Sequence, residues 1–431
     1  MNTTNFVSNS QCTICGTHYS LEDVQYTCPK CGDAGTLDIV YDFDALRSAF
    51  TPQSLADSMR GNRWEHTMWR YRPLLPIVDD NAIPPFPVGW TPLISAPGLA
   101  ESVGVNTLWI KDDGRNPTAS LKDRASAMVV ARANELSSPV VSAASTGNAA
   151  AALAGVCASA GKRAVIFVPA SAPEAKIAQM LVFGATVLLV EGTYDQAFDL
   201  CLQISQEYGW YCRNTGMNPF TTEGKKTAAL EVAEQLGWQA PDVLVVGVGD
   251  GSIIGGQHKG FNDLHALGWI DRIPRLVGVQ ADGSSSLVKA WKAGEDGVHM
   301  QPGPAETVAD SISASLPRDR VKALRAVRTT GGAFVSVSDE AILAAIPDLA
   351  RHTGVFAEPA AAATLAGLRQ ARHEGIIRAE DRVVLLVTGS GLKDVRSALR
   401  SLGSTSAAEH VEATLPAIRD MVERLGLALL K

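Results

Sequence analysis

From about residue 106 onward, short β-branched and aliphatic runs alternate with stretches of helical periodicity, and this alternation leaves few architectures open. The strand candidates are Thr107–Ile110, Val140–Ser142, Ala164–Val168, Thr186–Val190, Val243–Val246, Arg275–Gln280 and Arg382–Val387. Between them lie helical patterns at Arg124–Leu136, Asn148–Ala160, Pro173–Phe183, Tyr194–Tyr208 and Thr222–Leu236. Strands that are apolar along their whole length are covered on both faces, and parallel strands joined by helices give that cover. The expected fold is α/β, with open parallel sheets between helices. A length of 431 residues allows two or three domains with sizeable cores.

Composition narrows the class. The apolar share of 46% against 19% charged suits a globular enzyme, and a net charge of −7 disfavours a broad nucleic-acid surface. Met1 to Gln11 is polar and resembles no export signal, and no apolar stretch reaches membrane-spanning length. The expectation is a cytoplasmic protein with neither membrane nor nucleic-acid partners. Cys157, Cys201 and Cys212 lie in apolar or helical contexts, as reduced structural thiols do.

The other four cysteines form a pattern. Cys12-x2-Cys15 and Cys28-x2-Cys31 are separated by twelve residues, and Gly16 and Gly32 follow the pairs. Two such knuckles present four thiolates tetrahedrally, which predicts a structural zinc ribbon over 1–45; a rubredoxin-like iron site is the alternative. Residues 1–45 carry Lys30 against Glu22, Asp23, Asp33, Asp38, Asp42 and Asp44, so phosphate binding by the ribbon is disfavoured and a scaffold or docking role expected. Residues 46 to 85 read as a helical and then irregular segment that wraps the main body. Ala360–Ala363 begins a helix behind Glu358-Pro359, and Glu409–Leu430 reads as one amphipathic helix.

Open α/β sheets bind ligands at the carboxyl ends of their strands. Three strand ends carry suitable turns. Val140–Ala144 leads into Ser145-Thr146-Gly147-Asn148 and a helix, which is either an anion site or ordinary N-capping. Val243–Val246 leads into Gly247-Val248-Gly249-Asp250-Gly251-Ser252-Ile253, either a phosphate cradle of backbone N–H groups or a tight structural turn. Arg382–Val387 leads into Thr388-Gly389-Ser390-Gly391, where Thr388 is a hydrogen-bond partner for a ring nitrogen or a simple cap.

A fourth segment, Arg115-Asn116-Pro117-Thr118-Ala119-Ser120-Leu121-Lys122-Asp123-Arg124, puts a lysine at a helix start. Ser120 and Asp123 have capping-box spacing. Lys122 sits at the positive end of the helix dipole, where a cation is disfavoured and a neutral amine is not. Alone, the decamer favours a solvated surface lysine. Joined to a glycine-rich phosphate turn and polar strand ends, it points to pyridoxal phosphate held through Lys122 and backbone amides.

In these motifs the chain resembles the tryptophan synthase β-like (fold type II) pyridoxal-phosphate enzymes, and within them the threonine synthases. The resemblance runs in order through Cys12–Cys31 with Leu37 to Asp42, Gly89-Trp90-Thr91-Pro92-Leu93, Asn116–Arg124, Ser145–Asn148, Gly249–Ile253, Glu358-Pro359-Ala360 and Thr388–Asp394. It implies two open parallel-sheet domains: a large one over 46–125 and 216–431, and an inserted small one over 126–215. Lys122 would be the Schiff-base lysine and catalytic acid–base. Asn148 would contact the cofactor's phenolic oxygen, and Ser145, Thr146 and Gly147 the substrate carboxylate. Gly247, Gly249, Asp250, Gly251, Ser252 and Ile253 would hold the phosphate, and Thr388 would face the pyridine nitrogen. A hydroxyl there favours elimination and replacement over transamination.

The implied reaction is conversion of O-phospho-L-homoserine and water to L-threonine and phosphate. Lys111, Arg115, Lys225 and Lys226 are candidates from position for clamping the phosphate of this small amino-acid substrate. Family members are often homodimers. The rivals are a cysteate-synthase-like enzyme using O-phosphoserine, a threonine or serine dehydratase-like lyase, and a non-catalytic ligand-binding relative. The chain departs from the family pattern at Ala119 and Ala125, where glycine is usual or common, at Leu121 for phenylalanine, and in a phosphate loop reading GDGS.

Overall fold

A computed structural model describes residues 6–172, 174–403 and 408–427. The chain opens with a three-stranded antiparallel sheet of β1 (Val7–Cys12), β2 (His18–Tyr19) and β3 (Leu37–Tyr41), in the order β2-β1-β3. Leu37, Ile39 and Tyr41 are buried on one face of β3, the period-2 pattern of a one-sided sheet. After the helices Phe43–Ala49 and Pro52–Met59 come β4 (Leu93–Ser95) and β5 (Thr107–Asp112). The chain then leaves to build a separate parallel sheet from β6 (Val140–Ala144), β7 (Arg163–Pro169), β8 (Thr186–Val190) and β9 (Tyr211–Cys212), ordered β8-β7-β6-β9. It returns with β10 (Val243–Gly247), β11 (Arg275–Ala281), β12 (Ala333–Val337) and β13 (Arg382–Val387).

The larger sheet has the order β12-β11-β10-β13-β5-β4 and is parallel except for the β4–β5 pair. Val243 to Val246 and Val383 to Val387 are buried on both sides, the signature of central strands covered by helices. Both large sheets are thus the open, helix-covered parallel type expected from the sequence. The expected division at 125 falls inside the helix Lys122–Glu135. The expected strands all form. The sequence pattern did not single out β4 or β9, which have three and two residues. It also missed β12, an edge strand behind Gly331-Gly332. The helix expected over Glu409–Leu430 is shorter, Leu415–Arg424, with Thr414 as its cap and Pro416 in its first turn; residues 428–430 lie outside the described ones. Proline is tolerated at such a start and not within the longer helix. Among the described residues no helix is long and apolar enough to cross a membrane.

The Lys122 turn is fixed from two sides. Leu121 N–H donates to the Thr388 carbonyl (2.9 Å) and Ser390 N–H to the Ala119 carbonyl (3.1 Å). Glu358 N–H donates to the Gly389 carbonyl at 3.0 Å, so three distant segments lie edge to edge. Behind the turn, Arg124 is fully buried and grips Asp113 (2.7 and 2.8 Å) and Glu231 (2.5 and 2.8 Å). Glu231 also accepts from Lys111 (2.6 Å) and from the backbone N–H groups of Trp90 (2.7 Å) and Thr91 (3.2 Å). Gly89 is left-handed (φ +89°), and a Cβ there would stand 2.6 Å from Met68 N and 2.8 Å from a Glu231 oxygen. Removing one partner of such a cluster leaves buried charge unpaired. Glu231→Ala is therefore expected to destabilise the protein by about 3–5 kcal/mol in urea denaturation; a loss below about 1 kcal/mol, the range of a surface ion pair, would contradict this reading.

Candidate active site and metal centre

The turns after β6 and β10 line a cleft of about 550 Å3, together with Lys122. Ser145, Thr146, Gly147 and Asn148 line it from one side, and Gly247 through Ile253 from the other. A larger, more open hollow of about 670 Å3 borders β12 and includes Asp282, Lys292, Ser336 and Arg369, but none of the expected site residues. Chemistry therefore concentrates in the first cleft.

Lys122 is the first residue of its helix and only partly exposed. The expected capping box does not form. Leu121 occupies the cap position without a side-chain bond. Asp123 instead folds back to accept from the N–H (2.7 Å) and hydroxyl of Thr118, which pins the turn. Ala119 holds a left-handed backbone, φ +62°, a conformation suited to the glycine usual in the resembling family. Burial, reinforced by Arg213, lowers the Lys122 ammonium from 10.5 to about 8, against the opposing charges of Glu358 and Asp250. A neutral amine is thus accessible near physiological pH.

Asn148 begins the helix Asn148–Ser159, whose cap position is Gly147 with no side-chain bond. Ser145 does not cap the helix; its hydroxyl accepts from Gly147 N–H at 3.2 Å. The Asn148 amide donates to both carboxylate oxygens of buried Glu358 (2.9 Å each) and to the Ser311 hydroxyl (3.3 Å). Burial raises the Glu358 carboxyl, with the Asn148 bond and the Lys122 charge opposing. Thr388 is buried at the end of β13, beside the lysine turn, and is not among the cleft-lining residues.

The glycine turn leads into the helix Ser252–Ala266. Its glycines allow close backbone approach: a Cβ on Gly249 would stand 2.8 Å from Ile312 Cα, and Gly251 (φ +87°) would place one 2.9 Å from the Asp319 carbonyl. Lys225 is fully buried, lines the cleft and donates to the Ser252 hydroxyl. A glycine-rich cradle, a helix start, a buried lysine and a cleft-facing amine fit a phosphorylated aldehyde.

Three of the four cations expected from position are elsewhere. Lys111 is fully buried and spent on Glu231, and Arg115 is exposed; neither lines the cleft. Lys226 is ion-paired to Glu223 (2.6 Å) and Asp263 (2.7 Å) behind it. The cleft instead carries Arg213 and Arg318, with Ser311, Ser313 and Ser315 on one loop. Arg213 follows the two-residue β9, and the serine loop has no periodic pattern, so neither had a sequence signal.

The four ribbon thiols converge: the sulfurs of Cys12, Cys15, Cys28 and Cys31 lie within 4.8 Å of one another. The Cys15–Cys28 separation is 3.7 Å, close to the roughly 3.8 Å edge of a tetrahedron with 2.3 Å metal–sulfur bonds. Ile14 N–H points at the Cys12 sulfur (3.4 Å). The ribbon docks on the body through the Arg325 guanidinium on the Thr13 carbonyl and through Lys322 on the Leu37 carbonyl (2.7 Å).

Residues 85–389 match the family model described as pyridoxal-phosphate dependent enzyme. The chain is 38% identical to threonine synthase of Methanocaldococcus jannaschii over 91% of its own length and 94% of that protein. It is 38% identical to threonine synthase of Methanosarcina acetivorans over 96% and 98%. Among solved structures, processed threonine deaminase isoform 2 of Solanum lycopersicum superposes with a TM-score of 0.61 at 22% identity, covering 74% of this chain and 88% of that one; this likeness bears on fold.

The lowered Lys122 ammonium makes a kinetic prediction. Capture of pyridoxal phosphate by the cofactor-free protein, followed by visible absorbance, is expected to speed up with pH as the amine loses its proton and to level off above about pH 8. A rate still climbing towards pH 10 would mark an ordinary lysine and contradict it.

Proposed function

The chain belongs to the pyridoxal-phosphate-dependent enzyme family, and on that premise we propose that it is a lyase converting O-phospho-L-homoserine and water to L-threonine and phosphate. The observation that carries the reading is that Lys122 lines the same cleft as the Asn148 turn and the glycine loop. The similarity to threonine synthases along nearly the whole chain supports the choice of reaction.

Lys122 would hold the cofactor's aldehyde, the Gly247–Ile253 turn its phosphate, Asn148 its phenolic oxygen and Thr388 its ring nitrogen. When bound, the cofactor supplies an electron sink for carbanion charge at the substrate's Cα. The protein supplies proton transfer and position. The Lys122 amine, once released, would take the proton at Cα, hand it on, and, neutral again, take the one at Cβ, which its lowered proton affinity permits. Phosphate leaves from Cγ, Cγ is reprotonated, water adds at Cβ and a proton returns to Cα. Ser145, Thr146 and Gly147 hold the substrate carboxylate. Arg213 and Arg318 replace Lys111 and Arg115 as the proposed clamp on the substrate's phosphate, because they line the cleft.

The four-thiolate cluster is assigned to structural zinc, since four sulfurs close the coordination shell and leave no position for a substrate. Metal analysis should return one zinc per chain; iron in its place would overturn that assignment. The same proposal puts the protein in the cytoplasm as a homodimer.

The reaction is tested by phosphate release from O-phosphohomoserine beside O-phosphoserine, with threonine as product control. Threonine is expected from the first substrate, and none from the Lys122→Ala variant. Arg318→Ala should raise KM for O-phosphohomoserine about 10- to 100-fold, the worth of a charge-assisted hydrogen bond. Phosphate release from O-phosphoserine alone would contradict the substrate, and full activity of Lys122→Ala the mechanism.

A further inference from the structure

The glycine turn proposed to hold phosphate has acids around it. Asp250 lies within it, and the Asp319 N–H donates to the Asp250 carbonyl at 2.8 Å. Asp319 is buried, and one of its carboxylate oxygens has no hydrogen-bond partner among the described residues. A phosphate dianion brought here meets like charge, and backbone N–H groups do not offset it alone.

Lys225 reaches the end of the same turn, at Ser252. Among the described residues three lysines are completely buried: Lys111, Lys225 and Lys226. Lys111 and Lys226 meet carboxylates within 2.7 Å, whereas Lys225 meets the hydroxyl of Ser252, a neutral group at the first position of the helix that follows the turn. A buried ammonium is costly without an anion. The position is held by the backbone: a Cβ on Gly256 would come 3.0 Å from Lys225 Cβ, and Gln257 donates to the Lys225 carbonyl at 2.9 Å. The two helices therefore touch where Lys225 is rooted, which points its amine along the first turn rather than away from it. Lys122 cannot serve as well, because its nitrogen is committed to the aldehyde.

Resting on the function proposed above, we infer that Lys225 is the counter-charge of the phosphate loop: it offsets Asp250 and binds the cofactor's 5′-phosphate together with the first turn of the helix Ser252–Ala266. The aspartate is then tolerated in a phosphate loop because the buried lysine offsets it. Burial, with Arg213 and Lys122 nearby, lowers the Lys225 ammonium well below 10.5 while Asp319 and Asp250 oppose, so its proton is held more firmly once a phosphate lies beside it.

The test compares pyridoxal phosphate with pyridoxal, which lacks the phosphate, on the full-length cofactor-free protein, reading affinity from the visible absorbance of the lysine-bound aldehyde. Lys225→Met and Lys225→Gln should weaken pyridoxal phosphate about 100-fold and leave pyridoxal within about threefold, since a charge-assisted bond is lost only by the first ligand. Adding Asp250→Asn to either variant should restore at least about tenfold, and Asp250→Asn alone should bind pyridoxal phosphate more tightly than the unaltered protein. The last arm decides the matter even where the lysine variants do not fold. Equal loss for both aldehydes, unchanged pyridoxal phosphate affinity, or weaker binding by Asp250→Asn would overturn the inference. If the unaltered protein captures neither aldehyde, the fault lies with the proposed function.

Discussion

The site depends on a buried, electrically neutral cluster of four charges: Arg124, Lys111, Asp113 and Glu231. Each of these groups would be ruinous to bury alone, and together they satisfy one another. Glu231 shows the balance. Burial pushes its carboxyl up, but Arg124 and Lys111 outweigh that and hold it down to about 2. Through this cluster the Gly89–Thr91 segment, the end of β5, the Lys122 turn and the helix Phe220–Gln235 become one rigid unit. That helix is buried on nearly all sides although it carries Glu223, Lys225, Lys226 and Glu231. Its charges are the means by which separate parts of the chain are held in register, and it brings Lys225 to the cleft on the same rigid body that fixes Arg124.

The ribbon joins this arrangement from outside. Tyr41, at the end of β3, donates to Glu223 at 2.5 Å, and the Lys226 ammonium lies 4.2 Å from its ring. Lys322 ties the Leu37 carbonyl to the helix Arg320–Thr329, whose first turn abuts Gly251. Tyr26 accepts from Cys212 N–H at 2.9 Å, reaching the smaller sheet. A four-thiolate module that contacts the helices Phe220–Gln235 and Arg320–Thr329 and the end of the smaller sheet acts as a brace, in keeping with the closed shell its sulfurs would give a metal. This docking uses backbone carbonyls and aromatic rings, groups that carry no motif.

What was legible in the sequence follows from the range of each interaction. Parallel strands announce themselves by continuous apolar runs, so β5 to β8, β10, β11 and β13 could be read; β9 has two residues, and β12 follows Gly331-Gly332 with a serine in its run. Lys122, Asn148 and the glycine turn lie in short contiguous motifs at strand ends, where topology alone puts ligands. Lys111 was misjudged as a clamp because its partner Glu231 is 120 positions away. The capping box failed for a local reason: Asp123 found a better donor pair in Thr118 than in the helix start. Arg213, Arg318 and the serines of 311–315 reach the cleft from segments without periodicity, and only tertiary structure assembles them.

The account turns on one covalent bond, between Lys122 and the cofactor. The protein reconstituted with pyridoxal phosphate, reduced with borohydride, digested and mapped by mass spectrometry should carry a single phosphopyridoxyl group, on Lys122. A label on another lysine, Lys225 included, or scattered labelling of surface lysines would contradict the account.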